Sequence, residues 1–162
     1  MKPARSLVLA LLAGAGLAAA GCAYRLQSPV AIDEPIRIQV VTDQGRYPRA
    51  GIYLQEEVSD QLAVQTGWKV RPDGSARLDL SLEADRISAS GDDNRGMPTR
   101  WRIVLHGTAL LVTRRGTRTH QFTGNGYAST REQEPAALRA AATDAATAIA
   151  AWLQQIDLGP KP

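Results

Sequence analysis

The chain of 162 residues has one cysteine, one phenylalanine and two histidines. A single thiol leaves no intramolecular disulfide, so any fold must stand on its core. His106 and His120 lie in no Cys/His/Asp run with metal-ligand spacing. Gly-x-Ser-x-Gly elbows and phosphate loops are absent, which removes two common marks of acyl-transfer and nucleotide chemistry. Asp92-Asp93-Asn94 starts like a calcium loop, but the later ligands are missing. Glu56 and Glu57 fall on the polar side of a helical pattern, the ordinary place for solvated carboxylates. The expectation is a protein that is not an enzyme and holds no metal or cofactor. Basic tracts are lacking too, so nucleic acid is not an expected partner. No long Gly/Ser or Pro-rich linker divides the chain, and no internal repeat is visible.

What is present begins at the amino terminus. Lys2 and Arg5 precede an apolar stretch from Leu7 to Ala20, and Gly21 and Cys22 follow it. A basic start, an apolar core and a small-residue exit make a secretory signal peptide. The core is too short to span a bilayer, which takes about 20 residues. A cysteine at the cleavage point resembles the lipobox of bacterial lipoproteins, although Ala19 stands where that motif usually has leucine. The resemblance implies diacylation of the Cys22 thiol, removal of residues 1–21 and acylation of the new amino terminus. The alternative is an ordinary signal peptide with an incidental cysteine. Ala23 follows the cysteine instead of an acidic inner-membrane retention residue, so the expected location is the outer membrane, on its periplasmic side. Without Lys2 and Arg5 the chain has 17 basic and 16 acidic residues, so the high overall isoelectric point says little about partners.

The mature chain suffices for one domain and one core. Residues 22–35 carry Pro29 and Pro35 among polar residues and read as a lipidated tether. Ile36-Arg37-Ile38-Gln39-Val40-Val41 alternates like a half-buried strand, and Thr42 to Arg46 reads as a turn. Pro48 suits a helix start. Tyr47, Ala50, Leu54, Val58 and Leu62 then form one side of a helix that Gly67 ends. Trp68–Val70 is a short extended piece before the turn at Pro72-Asp73-Gly74. Leu78, Leu80, Leu82 and Ala84 alternate with polar residues in a second strand, whose phase slips before Ile87, the mark of a bulge or an end. Ser88 to Thr99 reads as a loop. Arg100 to Thr113 is a third strand with Trp101, Ile103, Leu105, Ala109 and Leu111 on one face. A turn at Arg114–Thr117 leads to a fourth strand, weakened by Gly124 and Gly126. Turning at Arg115-Gly116 would set His106 opposite Asn125 and His120 opposite Leu111. Pro135 opens a second helix with a stripe of Leu138, Ala142, Ala145, Ile149, Leu153 and Ile156, whose alanines allow close packing. The expected fold is α+β: a four-stranded mixed sheet in β-α-β-β-β-α order, both helices on one face, over residues 36–157. Residues 158–162 form a short tail. The first crossover implies parallel pairing of strands one and two, and the open second face suits a meander.

Gly21-Cys22-Ala23-Tyr24-Arg25-Leu26, the first strand, the Tyr47-Pro48 helix entry, the Leu78-Asp79-Leu80 strand, the Trp101–Thr113 strand and the Ala-rich last helix together resemble the LPS-assembly lipoprotein family, LptE. The resemblance covers nearly all of the mature chain, in layout plus a short amino-terminal motif. It implies a lipoprotein seated in the lumen of the LptD outer-membrane β-barrel, plugging it, helping it assemble and assisting lipopolysaccharide insertion. A compact domain with a polar surface suits a polar lumen. In a meander the loop between strands two and three and the connection into the last helix share one end. Arg95 and Arg100 stand at the first, Arg131 at the second. Guanidinium forks bind phosphate bidentately, and the family places basic residues there for lipopolysaccharide contact. Asp92 and Asp93 dilute that patch, and solvated loop arginines are the plain alternative. At the level of function, the alternative is an accessory or structural outer-membrane lipoprotein, such as one serving a lipid ABC transporter, without a barrel partner.

Overall fold

The computed structural model describes residues 34–66, 68–88 and 100–156. The strands are β1 (Ile36–Gly45), β2 (Ala76–Ser88), β3 (Trp101–Thr113) and β4 (Gly116–Ala128). The helices are α1 (Ala50–Gln61), followed by a π-helical turn (Leu62–Thr66), and α2 (Glu134–Gln155), preceded by a 3-10 turn (Arg131–Gln133). The sheet order is β1-β2-β3-β4, with β1 and β2 parallel and the other neighbours antiparallel. This is the expected α+β fold with both helices on one face. Cys22 and Arg95 lie outside the described residues, as do Gly67 and the tail at 158–162.

Alternation fills one side of the sheet. Ile36, Leu78, Leu80, Ile103, Leu105 and Leu111 are fully buried there beneath Leu54, Val58 and Leu62 of the α1 segment and Ile149 and Leu153 of α2. Each such side chain contributes about 1.5–3 kcal/mol by leaving water. Helix α2 lies over β4 by a different device. A Cβ at Gly124 would overlap the Ala141 carbonyl oxygen, and one at Gly126 the Ala137 carbonyl oxygen. Glycine on the strand and alanine on the helix therefore bring the two backbones together. Asp144 of α2 accepts the Asn125 N–H of β4 at 3.0 Å.

Three local expectations are corrected. First, β1 does not turn at Thr42. A register shift between Val40 and Thr42 makes a bulge, leaves Val41 58% exposed and carries the strand on to Gly45. The Val40-Val41 doublet breaks the alternation and hides this continuation. The bulge turns Asp43 toward α1, where its carboxylate accepts the Gly51 N–H at 3.0 Å. The start of the helix is thus capped from β1, while Arg49 at the N-cap gives no side-chain bond. Second, β2 carries no bulge before Ile87. Its ladder with β3 runs unbroken through Ile87↔Arg102 to Ser88↔Trp101, held by backbone bonds that side-chain alternation does not report. Third, the hairpin loop is Arg114-Arg115, flanked by the pair Thr113↔Gly116, with Gly116 at φ +129°. His106 therefore faces Thr123 and His120 faces Ala109. A two-residue displacement keeps every side chain on its expected face, because the period of a strand is two.

Candidate functional site

Both connections that carry the candidate arginines are at one end of the domain, as the meander requires. There β1, β2 and β4 finish, β3 begins, and α1 and α2 start. The pairs Ser88↔Trp101 and Trp101↔Ala128 bring Arg100 and the 3-10 turn of Arg131 to this end. The two arginines nonetheless serve different faces. The Arg100 guanidinium sits over the Tyr127 ring, 6.0 Å from its centroid. Tyr127 pairs with Arg102 across β3 and β4 on the open face of the sheet, and it is 58% exposed. Arg131 lies on the helical side.

On that helical side a cleft of about 370 Å³ opens between the starts of α1 and α2. Tyr47, Pro48, Arg49 and Tyr53 line one wall; Arg131, Glu134, Pro135 and Leu138 line the other. The Tyr47 hydroxyl donates to the Glu134 carboxylate at 3.4 Å across it. Arg49 and Arg131 are exposed, and neither takes part in an ion pair among the described residues. Further along the helices Arg139 closes the groove. It pairs with Glu56 at 2.8 Å and Glu57 at 3.5 Å and sits 5.1 Å from the Tyr53 ring centroid. Aromatic and proline walls with two free guanidinium groups suit an anion that carries an apolar body. The positive ends of two helix dipoles add to this, while Glu134 opposes it. Nothing in the sequence pattern marks Arg49. Its nearness to Arg131 depends on the packing of α1 beside α2, which no local pattern reports.

The histidines stay apart. His106 on the open face is 3.7 Å from Glu83, and His120 stacks on Trp152 of α2 with centroids 5.0 Å apart. Among the described residues no three His, Cys, Asp or Glu side chains gather as metal ligands. No helix among them is long and apolar enough to cross a membrane.

With this geometry in place, comparison with solved structures is informative. The chain is similar to a minor lipoprotein from Acinetobacter baumannii at 14% identity and TM-score 0.55, covering 74% of this chain and 90% of that one. This fold is shared with a bacterial lipoprotein. The PelC dodecamer from Paraburkholderia phytofirmans is also similar, at 18% identity and TM-score 0.50, over 74% of this chain and 88% of that one. The rare lipoprotein B from Shewanella oneidensis matches at 12% identity and TM-score 0.49, over 72% and 92% of the two chains. No protein-family model matches the sequence, and no curated protein matches it.

Proposed function

We propose that this chain is an outer-membrane lipoprotein of the LptE type, acylated at Cys22. In this reading it plugs and helps assemble an LptD-like β-barrel and assists lipopolysaccharide transport to the outer leaflet, and it is not an enzyme. The observation that carries the reading is a coincidence: a lipobox at Cys22 precedes a domain whose fold matches 90% of a bacterial lipoprotein. The arginine-bearing end adds to it. Arg100 and Arg131 stand there with Arg49, and Arg95, outside the described residues, falls in sequence between β2 and β3. Lipid A phosphates are ligands of the class that such forks take.

The test is a pull-down of the acylated protein from detergent-solubilised outer membranes, with mass spectrometry of what accompanies it. A stoichiometric barrel protein is expected; a folded, acylated bait that brings no barrel would sink the plug reading. For the arginines, Arg95→Glu with Arg131→Glu should weaken lipopolysaccharide binding at least tenfold while the melting temperature holds. Unchanged binding removes these residues from the site and leaves the scaffold role standing.

The second reading is a structural lipoprotein that works without a barrel, as a subunit of a ring. The likeness to the PelC dodecamer favours it. Native mass measurement separates the two, because a ring predicts a large homo-oligomer and a plug predicts one copy per barrel.

A further inference from the structure

The end of the domain opposite the cleft is where the chain enters from its tether. There Ile36 opens β1, and its backbone is bridged to Val70 of the segment after α1. Glu34, the first described residue, pairs with Arg114 of the β3–β4 hairpin at 3.8 Å and accepts from the Ser75 hydroxyl at 3.2 Å. The tether therefore reaches the domain beside the tip of that hairpin. Cations crowd this end: Lys69, Arg71, Arg114 and Arg118 are exposed, and Arg115 completes the tip. The carboxylates here are fewer. Glu34 is engaged by Arg114, Asp79 by Gln39 and Arg77, Asp73 stands in the turn after Arg71, and Asp60 is exposed in the last turn of α1. The end also carries the most exposed large apolar side chain among the described residues. Val64, on the π-helical turn that follows α1, is 85% accessible.

We infer that this end rests on the anionic phospholipid headgroups of the leaflet that holds the Cys22 acyl chains, with Val64 dipping into the interface. The inference rests on the Cys22 anchor and concerns the protein on the membrane before a barrel encloses it. Two observations carry it. Cys22 lies twelve residues before Glu34, so the tether holds the entry point within about 40 Å of the bilayer even when fully extended. The surface so held is cationic with an apolar tip, the composition that binds a negatively charged headgroup layer. The opposite end, with Arg49, Arg100 and Arg131, then points away from that leaflet. Charge thus fixes an orientation that a flexible tether alone leaves open.

The test uses the mature acylated protein in two kinds of vesicle: phosphatidylcholine alone, and phosphatidylethanolamine with roughly a third phosphatidylglycerol. A neutral amine-reactive reagent reports the accessibility of Lys69 by mass spectrometry. Lys69 should react about tenfold more slowly on the anionic vesicles, and high salt should restore the rate. Arg114→Glu with Arg115→Glu should abolish the protection, and Val64→Asp should weaken it, both with unchanged melting temperatures. Equal rates on the two vesicles overturn the inference and leave the anchor standing. Failure of the protein to float with either vesicle overturns the anchor, and this orientation with it. Protection of Lys69 that requires a barrel partner and ignores lipid charge assigns the surface to the barrel rim and also overturns it.

Discussion

Helices α1 and α2 cover the same face of the same sheet, yet they pack by opposite means. Helix α2 meets β4 through missing side chains: Gly124 and Gly126 on the strand face Ala137, Ala141 and Ala145 on the helix. Past its first turn, where buried Ala50 and Gly51 come close to β1, helix α1 meets the sheet through large ones, with Leu54 and Val58 filling the space above the first two strands. A backbone-to-backbone contact has one geometry and no slack. A layer of branched side chains can repack. The cleft lies on the seam between these halves, with Tyr47, Arg49 and Tyr53 on the repackable side and Arg131, Glu134 and Leu138 on the fixed side. A ligand that widens it displaces α1 at lower cost than α2.

Substitutions can break this contrast, and the largest effect belongs to the fixed half. Gly126→Val puts branched carbon into the Ala137 carbonyl and should cost about 4 kcal/mol or more, a fall in melting temperature of about 10 °C or more by circular dichroism. A cooperative melt near that of the wild type would mean that α2 is as adjustable as α1. Leu54→Ala should cost about 3 kcal/mol, with a fold that survives and a cleft that loosens; proteolysis within the α1 segment reads this directly. Asp43→Ala removes the acceptor for the Gly51 N–H and should cost about 1 kcal/mol in urea titration, with Asp43→Asn recovering part of it. Arg139→Ala, which unties α1 from α2 at an exposed ion pair, should cost below about 1 kcal/mol and shrink further in salt. A larger loss there would show that the helices hold each other more firmly than the sheet holds α1.

Much of this fold was legible from alternation and spacing. Leu78 to Ala84, Ile103 to Leu111 and the Leu138–Ile156 stripe fall on the buried face they suggest. The small residues of the last helix foretold a close approach, and Gly124 and Gly126 are its other half instead of a weakness in β4. The misses have physical reasons. Val40-Val41 reads as the end of a strand because a bulge inserts one residue without any change of composition. The hairpin register differs by two from the expected one because Gly116 flanks the loop instead of sitting at its centre. The grouping of Arg100 and Arg131 at one end followed from strand order alone. Their separation onto two faces, and the arrival of Arg49 beside Arg131, came from helix packing.

The bond from the Asn125 N–H to Asp144 has a consequence for self-association. An outer strand with open backbone groups is a template for another copy, and two such edges per molecule allow an endless stack. Here the Asp144 carboxylate takes the Asn125 N–H of β4, and the start of β1 is already bridged to Val70. A strand added along β4 would have to displace Asp144 to pair past Asn125, and one added along β1 would have to displace Val70 to pair at Ile36.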